Sequence, residues 1–292
     1  MEPEPVTAVE AVMRAGGVAT REELRRFLTA RQVRESVLAG EIVRLRRGIY
    51  GLPDAVDAQA AFARVGGVSS HLTAALGYEW KVQFAPRKPM VVVPRNRSLT
   101  PERRAGIDVR WGDLGPDDVD GHRTSRLRTV TDCARTLPFS EALSVADSAL
   151  REGRISHQQL ITEAEGGPRT GRAAAVAVAR AADGRAANPF ESALRALCMQ
   201  VPGLLVQPQL WVDHIGRADL VDVLLSLVIE AESWEFHGSE DGFARDIRRY
   251  TDMVRAGWIV VRFTWHEVMF EPERVIAVLA EVVARQQRRL AA

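Results

Sequence analysis

Cysteine and lysine are both scarce in this sequence. The 292 residues include two cysteines, Cys133 and Cys198, which lie in different segments and have no histidine or cysteine partners at metal-ligand spacing. This scarcity argues against a disulfide framework and against a structural zinc site. We therefore expect a reducing, cytoplasmic environment for the chain.

Long apolar runs are also missing. No uninterrupted apolar stretch approaches the roughly 20 residues that a membrane-spanning helix needs. The N-terminal region has no apolar signal segment, because charged side chains recur along it at Glu2, Glu4, Glu10, Arg14 and Arg21. We expect a chain that is neither exported nor membrane-spanning and that has no membrane partner.

The overall composition is that of an ordinary globular protein. Apolar residues make up 46% of the chain and charged residues 26%, which excludes a disordered, collagenous or fibrous protein. At roughly 150 residues per domain, the length predicts two or three domains.

Arginine dominates the basic residues, since Lys81 and Lys88 are the only lysines among 39 basic side chains. The net charge of +1 argues against a uniformly basic surface. Residues 21–50 nevertheless hold eight arginines against four glutamates. This local excess favours contact with a polyanion, although a solvated helix face with the same spacing remains an alternative.

Residues 1–54 are predicted to form a winged helix-turn-helix domain. Thr20 and Glu23 form a capping box that opens a second helix, and Thr29 caps a third helix over Ala30–Ala39. Two short alternating strands over residues 42–52 then form a wing. The third helix and the wing are expected to contact DNA through Arg31, Arg34, Arg44, Arg46 and Arg47.

The run GGVATREELRRFLTARQVRESVLAGEIVRLRRGIYGLP resembles the N-terminal winged helix of the AbiEi-type antitoxins. The resemblance continues in SSHLTAALGYEW (69–80), KPMVVVP (88–94), IDVRW (107–111) and HRTSRLRTVTDCARTLPFSEALSVADSAL (122–150). It implies a middle α/β domain over residues 55–165 and a DNA-binding repressor from an abortive-infection toxin-antitoxin system. In the middle domain, we expect His71 and Asp132 to be structural rather than catalytic.

A linker rich in glycine, proline and alanine is predicted over residues 166–187, and its alanine run is expected to be helical. The last domain, residues 188–292, is predicted to have the element order αβββαβα. Its three consecutive strands are expected at Leu204–Val212, Ala218–Leu225 and Leu227–Glu232. The predicted fold class is therefore a mixed α/β multidomain chain.

Acidic residues stand at unusual places on two of these otherwise apolar strands. Asp219 lies near the start of the second strand, and Glu230 and Glu232 end the third. A carboxylate on a buried strand is costly unless a partner or a cation compensates it. Alternation places Glu230 and Glu232 on one face, and antiparallel pairing would bring Asp219 beside Glu230. With Glu191 available from the preceding helix, these oxygen ligands predict a Mg²⁺ or Mn²⁺ site.

The stretches RADLVDVLLSLVIEAESWEFHG (217–238) and FARDIRRYTDMVRAGWIVVRFTWHEV (243–268) resemble the branch of the PD-(D/E)XK nucleases that is similar to very-short-patch repair endonucleases. The resemblance covers about residues 188–285 and implies a restriction-endonuclease-like core. It assigns metal binding to Asp219 and Glu230, and a supporting acid to Glu191. The position of the superfamily lysine is Glu232 here.

The same resemblance implies further site residues. His237 would be a general base or a phosphate contact. Independently of the resemblance, the convergence of three carboxylates on the strands makes Glu232 a candidate third metal ligand. For both residues a purely structural role is an equal alternative. The DNA side would be lined by Arg245, Asp246, Arg248 and Arg249, although Asp246 with Arg249 has the spacing of a surface ion pair.

Two functions follow as hypotheses. In the first, a winged helix delivers a metal-dependent endonuclease to double-stranded DNA, in phage defence or DNA repair. In the second, the chain is an antitoxin-type repressor whose nuclease-like domain is catalytically silent and serves a cognate toxin or a homodimer. An unrelated α/β binding protein is disfavoured, because the sequence has no GxxxxGK[ST] phosphate loop.

Overall fold

The computed structural model describes residues 6–14, 18–53, 62, 65–232 and 240–291. The described residues form a mixed α/β structure with three sheets. The chain divides into two compact units, Met1–Gly184 and Arg185–Ala292. No helix in the described ranges is both long enough and apolar enough to cross a membrane.

The first unit begins with short helices and a small sheet. Their bounds are α1 Ala8–Arg14, β1 Val18–Thr20, α2 Arg21–Arg25, α3 Ala30–Leu38, β2 Val43–Arg46 and β3 Ile49–Gly51. The strands are antiparallel and lie in the order β1-β3-β2. Apolar side chains from the helices and the sheet form one buried cluster, which includes Ala11, Leu24, Val33 and Tyr50.

Local capping determines where α2 and α3 begin. Glu23 N donates to Thr20 Oγ1 over 3.1 Å, and Thr20 N donates to Glu23 Oε2 over 2.8 Å, which confirms the predicted capping box. Thr29 caps α3 in the same way, together with Gln32. The sequence predicts the second helix over Arg21–Leu28, and α2 ends earlier, at Arg25. Strand β1 was not predicted, and it forms because residues 18–20 pair with β3.

The rest of the first unit is a five-stranded sheet with helices. The bounds are β4 Val68–Ser69, α4 His71–Gly77, β5 Met90–Val93, α5 Pro101–Arg104, β6 Asp108–Trp111, β7 Val119–Asp120, β8 Arg123–Thr124, α6 Arg126–Thr136, α7 Phe139–Glu152, α8 His157–Gly166 and α9 Arg172–Ala181. A 3₁₀ turn over Pro116–Asp118 precedes β7. The sheet order is β6-β5-β4-β8-β7. Lys81 Nζ also donates to Glu23, which ties α2 to this part of the unit.

The predicted linker over residues 166–187 requires a correction. Its alanine run forms the expected helix, α9, but Ala175, Val178 and Ala179 of this helix are buried, and the helix packs against α6, α7 and α8. Small alanine side chains allow this close helix packing. Asp183 N then donates to Asp147 Oδ1 over 2.7 Å. This stretch is therefore part of the first unit rather than a free connector, and the separation of residues 1–54 from 55–165 as domains stays a prediction.

The second unit is a four-stranded sheet with helices on both faces. Its elements are α10 Pro189–Cys198, β9 Gln207–Val212, β10 Gly216–Asp222, β11 Leu227–Glu232, α11 Glu240–Arg255, β12 Ile259–Thr264, α12 Trp265–Phe270 and α13 Pro272–Ala291. The sheet order is β12-β11-β10-β9, with β11 and β12 parallel and the other pairs antiparallel. The order along the chain is αβββαβαα, one short helix more than predicted, because Thr264 and Glu267 form a capping box that starts α12.

Two apolar clusters hold the second unit together. One joins α10, α12 and α13 to the sheet and includes Leu194, Leu220 and Leu279. The other lies beneath α11 and includes Val221, Val228 and Met253. The central strands are buried on both faces, as expected for strands covered by helices. Polar side chains at the end of β11 therefore lie in a largely dehydrated environment.

Candidate active site

Asp219 and Glu230 meet on neighbouring strands of the second unit. The antiparallel register pairs Leu220 with Ile229. Asp219 precedes Leu220 and Glu230 follows Ile229, so the two acids lie opposite each other. Glu230 is 3% exposed, and the negative charge of Asp219 contributes to the raised pKa of its carboxyl group. The two acids therefore form a closely coupled pair.

The backbone and one amide hold Asp219 in place. Ala231 N donates to Asp219 Oδ2 over 2.9 Å, and Gln209 Nε2 donates to Asp219 Oδ1 over 3.1 Å. Gln209 lies on β9 with a left-handed backbone, at a φ of 55°. Both carboxylate oxygens of Asp219 consequently have a hydrogen-bond donor.

Glu191 is joined to this pair through Gln209. The same Gln209 Nε2 donates to Glu191 Oε2 over 2.8 Å. Glu191 is 4% exposed in the first turn of α10, where it also accepts from Ala187 N and from Asn188 Nδ2, each over 2.8 Å. Glu191, the expected supporting acid, and Asp219 therefore accept hydrogen bonds from the same side-chain amide.

Burial controls the protonation of the acid pair. It raises the pKa of Asp219. It also raises the pKa of Glu230 to about 9, with a further contribution from the negative charge of Asp219 and an opposing one from Arg249. Without a bound cation, the pair therefore keeps a proton at neutral pH.

Arg249 of α11 is the cation at the acid pair. Its Nη1 lies 3.4 Å from Glu230 Oε1, and its charge lowers the pKa of both acids. Glu230 Oε1 is buried and has no hydrogen-bond partner within the described ranges. Within the described ranges, this oxygen therefore has the contact with Arg249 but no hydrogen bond.

Glu232 departs from the predicted three-carboxylate arrangement. Its Oε2 accepts from Tyr250 Oη over 3.0 Å and from Arg262 Nε over 2.8 Å. Tyr250 lies on α11 and Arg262 on β12. Glu232 is therefore part of a hydrogen-bond network beside Asp219 and Glu230. In the part of the chain that the structure describes, no group of three or more His, Cys, Asp or Glu side chains is arranged to hold a metal.

The remaining predicted site residues are spread over the chain. His237 lies outside the described residues. Arg245 and Arg248 are exposed on α11, and the side chain of Asp246 lies outside the description. Asp222, on the same strand as Asp219, accepts from Leu205 N and Leu225 N and has a structural role.

The predicted DNA-contacting arginines lie on α3 and on the β2–β3 hairpin. Arg31 and Arg34 are exposed on α3, and Arg31 Nε donates to Glu35 over 2.7 Å. Arg44 and Arg47 are exposed on the hairpin. Arg46 is part of β2, but its side chain lies outside the description.

The middle of the first unit holds a buried ionic cluster. Asp132 lies 2.9 Å from Arg128 Nε and 3.7 Å from Arg135 Nη1. Burial lowers the pKa of His71, although the Asp132 charge opposes that shift. Asp132 bridges residues of its own helix, in line with the structural role expected for it.

Three residues of the site were missed at the level of sequence: Gln209, Tyr250 and Arg262. The hairpin register could have indicated Gln209, because pairing of Ala218 with Leu210 and of Leu220 with Pro208 places residue 209 opposite Asp219. Tyr250 and Arg262 carry no comparable local signal, since their contacts depend on how α11 and β12 pack.

The chain is similar over most of its length to two proteins whose names state no activity. No family model matches the chain. The chain is 28% identical over 279 residues to "Uncharacterized protein MT2308" of Mycobacterium tuberculosis (strain CDC 1551 / Oshkosh), covering 88% of this chain and 98% of that protein. The same values hold for "Uncharacterized protein Rv2248" of M. tuberculosis (strain ATCC 25618 / H37Rv).

Among solved structures, the crystal structure of RV2827C protein from M. tuberculosis is similar with a TM-score of 0.32 and 16% identity, over 63% of this chain and 78% of that one.

Proposed function

We propose that the second unit is a divalent-metal-dependent DNA phosphodiesterase and that the N-terminal winged helix brings it to double-stranded DNA. The observation that carries this proposal is the pair of Asp219 and Glu230, which lie opposite each other on adjacent antiparallel strands, with Glu230 buried and Asp219 partly buried. Two neighbouring acids in such an environment favour a proton or a cation between them. The resemblance to PD-(D/E)XK nucleases assigns a metal to these same two positions.

The residues present fit a magnesium or manganese ion. Both ions prefer hard oxygen ligands, and Mg²⁺ is commonly held by one or two carboxylates together with waters and substrate phosphates. Asp219 and Glu230 supply such carboxylates, and Glu230 Oε1 has no competing hydrogen bond in the described structure. A third carboxylate is therefore not required, which agrees with the commitment of Glu232 to Tyr250 and Arg262.

The chemistry of the proposed reaction is hydrolysis. A water oxygen attacks the phosphorus, the bond from phosphorus to one ester oxygen breaks, and the departing alkoxide takes up a proton. When bound, the cation would favour deprotonation of the water and offset phosphate charge. Asp219 and Glu230 would hold it, while Gln209 and Ala231 N keep Asp219 oriented.

The winged-helix part of the proposal is supported by charge. Arg34, Arg44 and Arg47 are exposed on α3 and on the hairpin that follows it. Exposed arginines on a helix and a wing are the usual means of contacting a DNA groove and its phosphates. Binding of this type weakens steeply as salt rises.

The alternative is an antitoxin-type repressor with a silent second unit, whose partner would be a cognate toxin or a second copy of the chain. One observation favours it. Glu232 occupies the position that the nuclease resemblance assigns to a lysine, and Arg262 and Tyr250 bind it. A glutamate cannot offset the negative charge of a phosphodiester.

A cleavage assay separates the two functions. Supercoiled DNA is incubated with the full chain and Mn²⁺ or Mg²⁺, beside Asp219→Asn, Glu230→Gln and the control Asp252→Asn, which removes a part-buried acid of α11 that pairs with Arg255. We expect nicking by the wild type and the control, none by the two site variants, and equal DNA binding by all four. DNA binding without cleavage in either metal would favour the repressor.

A further inference from the structure

Arg249 reaches from helix α11 to the acid pair on the sheet. Its side chain is 26% exposed, whereas that of Glu230 is 5% exposed. The guanidinium thus lies at the border between the buried carboxylates and solvent. Of the two side chains, Arg249 is the one that a ligand in solvent can contact.

Several contacts hold the guanidinium in one place. Nη1 donates to the Arg217 carbonyl over 3.0 Å, and Nη2 donates to Tyr250 Oη over 2.8 Å. The guanidinium also lies over the Tyr250 ring, 4.7 Å from its centroid. A long side chain anchored at three points loses its freedom during folding rather than during binding, which is the condition for a preorganised charge.

The network behind Tyr250 extends this support. Tyr250 donates to Glu232, which also binds Arg262, and the Arg262 guanidinium lies 4.3 Å from the centroid of the Tyr250 ring. Glu232 therefore acts as the acceptor that fixes the tyrosine on which Arg249 rests. This assigns Glu232 a positioning role.

Gly216 leaves room for the arginine. A Cβ at Gly216 would lie 3.2 Å from Arg249 Cδ and 3.6 Å from Cγ. Strand β10, which also carries Asp219, therefore has no side chain where the stem of Arg249 passes.

We propose that Arg249 binds the phosphate of the substrate beside Asp219 and Glu230 and is a catalytic residue of this site. The inference rests on the proposed phosphodiesterase function. Two carboxylates and one divalent cation are neutral together, so the guanidinium supplies the net positive charge that a phosphodiester needs. The planar fork of arginine suits phosphate oxygens.

This arrangement predicts opposite effects on two measurements. Arg249 and a bound metal ion are like charges that share the same carboxylates, so they repel each other. Removing the guanidinium should strengthen metal binding, at least about fivefold from the repulsion of unit charges a few ångströms apart in water. It should also slow cleavage by about a hundredfold or more, the loss typical of a preorganised charge that stabilises a transition state.

The experiment compares the full-length wild type with Arg249→Ala, Arg249→Lys and the control Arg255→Ala, an exposed arginine of the same helix that pairs with Asp252. Mn²⁺ affinity is measured by isothermal titration without DNA, and single-turnover cleavage is measured at saturating Mn²⁺. We expect tighter Mn²⁺ binding and slow cleavage for Arg249→Ala, partial rescue of cleavage for Arg249→Lys, and wild-type values for Arg255→Ala.

Other results would overturn the assignment. Weaker Mn²⁺ binding in Arg249→Ala, with Arg249→Lys equally impaired, would show that Arg249 only supports the fold of the site. A wild-type rate in Arg249→Ala would remove it from catalysis. A wild-type chain that binds no Mn²⁺ would refute the proposed metal site itself. If the wild type binds Mn²⁺ but cleaves nothing, the proposed phosphodiesterase function fails and the catalytic role of Arg249 fails with it. Tighter Mn²⁺ binding by Arg249→Ala would then show only that the guanidinium and the metal ion share the acid pair.

Discussion

The side-chain amide of Gln209 donates to Asp219 Oδ1 over 3.1 Å, and it does so from a left-handed backbone with a φ of 55°. A residue other than glycine held in that region costs on the order of 1 to 3 kcal/mol. The surrounding strands maintain this conformation, and the same amide nitrogen also serves Glu191. The unfavourable backbone conformation of Gln209 therefore accompanies hydrogen bonds that orient Asp219 and Glu191.

Substituting Gln209 by alanine should destabilise the second unit. The change removes one hydrogen-bond donor from Asp219 and one from Glu191 while the unfavourable φ remains, so the free energy of unfolding should fall by about 1 to 3 kcal/mol. Urea unfolding measures the difference. Gln207→Ala, an exposed position on the same strand, is the matched control, and equal midpoints for the two variants would refute a structural role for the amide.

His71 should make stability depend on pH. Its pKa in the folded chain is lowered, mainly by burial, so below pH 6.5 the unfolded chain binds more protons than the folded one. Stability is then fully present above the unfolded pKa and is lost as the pH falls, with a limiting slope of about 1.4 kcal/mol per pH unit for one group.

The variant His71→Asn removes this titration and suits the position, because asparagine tolerates the φ of 50° found there. Urea midpoints of the wild type and the variant should therefore diverge between pH 7 and pH 5, with the wild type falling more steeply. Parallel curves would contradict a buried neutral histidine.

Alanine at Arg44 and Arg47 should weaken DNA binding and lower its salt dependence. Each phosphate contact contributes about −0.9 to the slope of log affinity against log salt concentration. If both arginines contact phosphates, the slope of the double variant should be shallower by nearly two. Fluorescence anisotropy at several salt concentrations measures this. Arg180→Ala, whose arginine pairs with Glu165, should keep the wild-type slope, and an unchanged slope in the double variant would remove the wing from the DNA interface.

Local patterns predicted a good part of this architecture. Capping boxes and alternation identify short elements such as α2, α3 and β11 within a few residues. The juxtaposition of Asp219 and Glu230 follows from antiparallel pairing alone, since the register of a hairpin is a local property.

Contacts between distant segments could not be predicted in this way. The approach of Arg249 to Glu230 depends on how α11 lies across the sheet, and the binding of Glu232 by Arg262 depends on a parallel pair of strands separated by that helix. The alanine run of α9 was expected to be helical, but its packing against α6, α7 and α8 could not be predicted, because that packing depends on how separate helices come together.

The most direct test of the central claim, a metal site at Asp219 and Glu230, is the thermal midpoint of the full chain with and without Mn²⁺. A ligand that binds only the folded state at a hundred times its dissociation constant stabilises it by about 2.7 kcal/mol. We predict that Mn²⁺ raises the midpoint of the wild type and of Asp252→Asn but not that of Asp219→Asn. A wild-type midpoint unchanged by either Mn²⁺ or Mg²⁺, together with a Glu230→Gln variant more stable than the wild type, would contradict the claim.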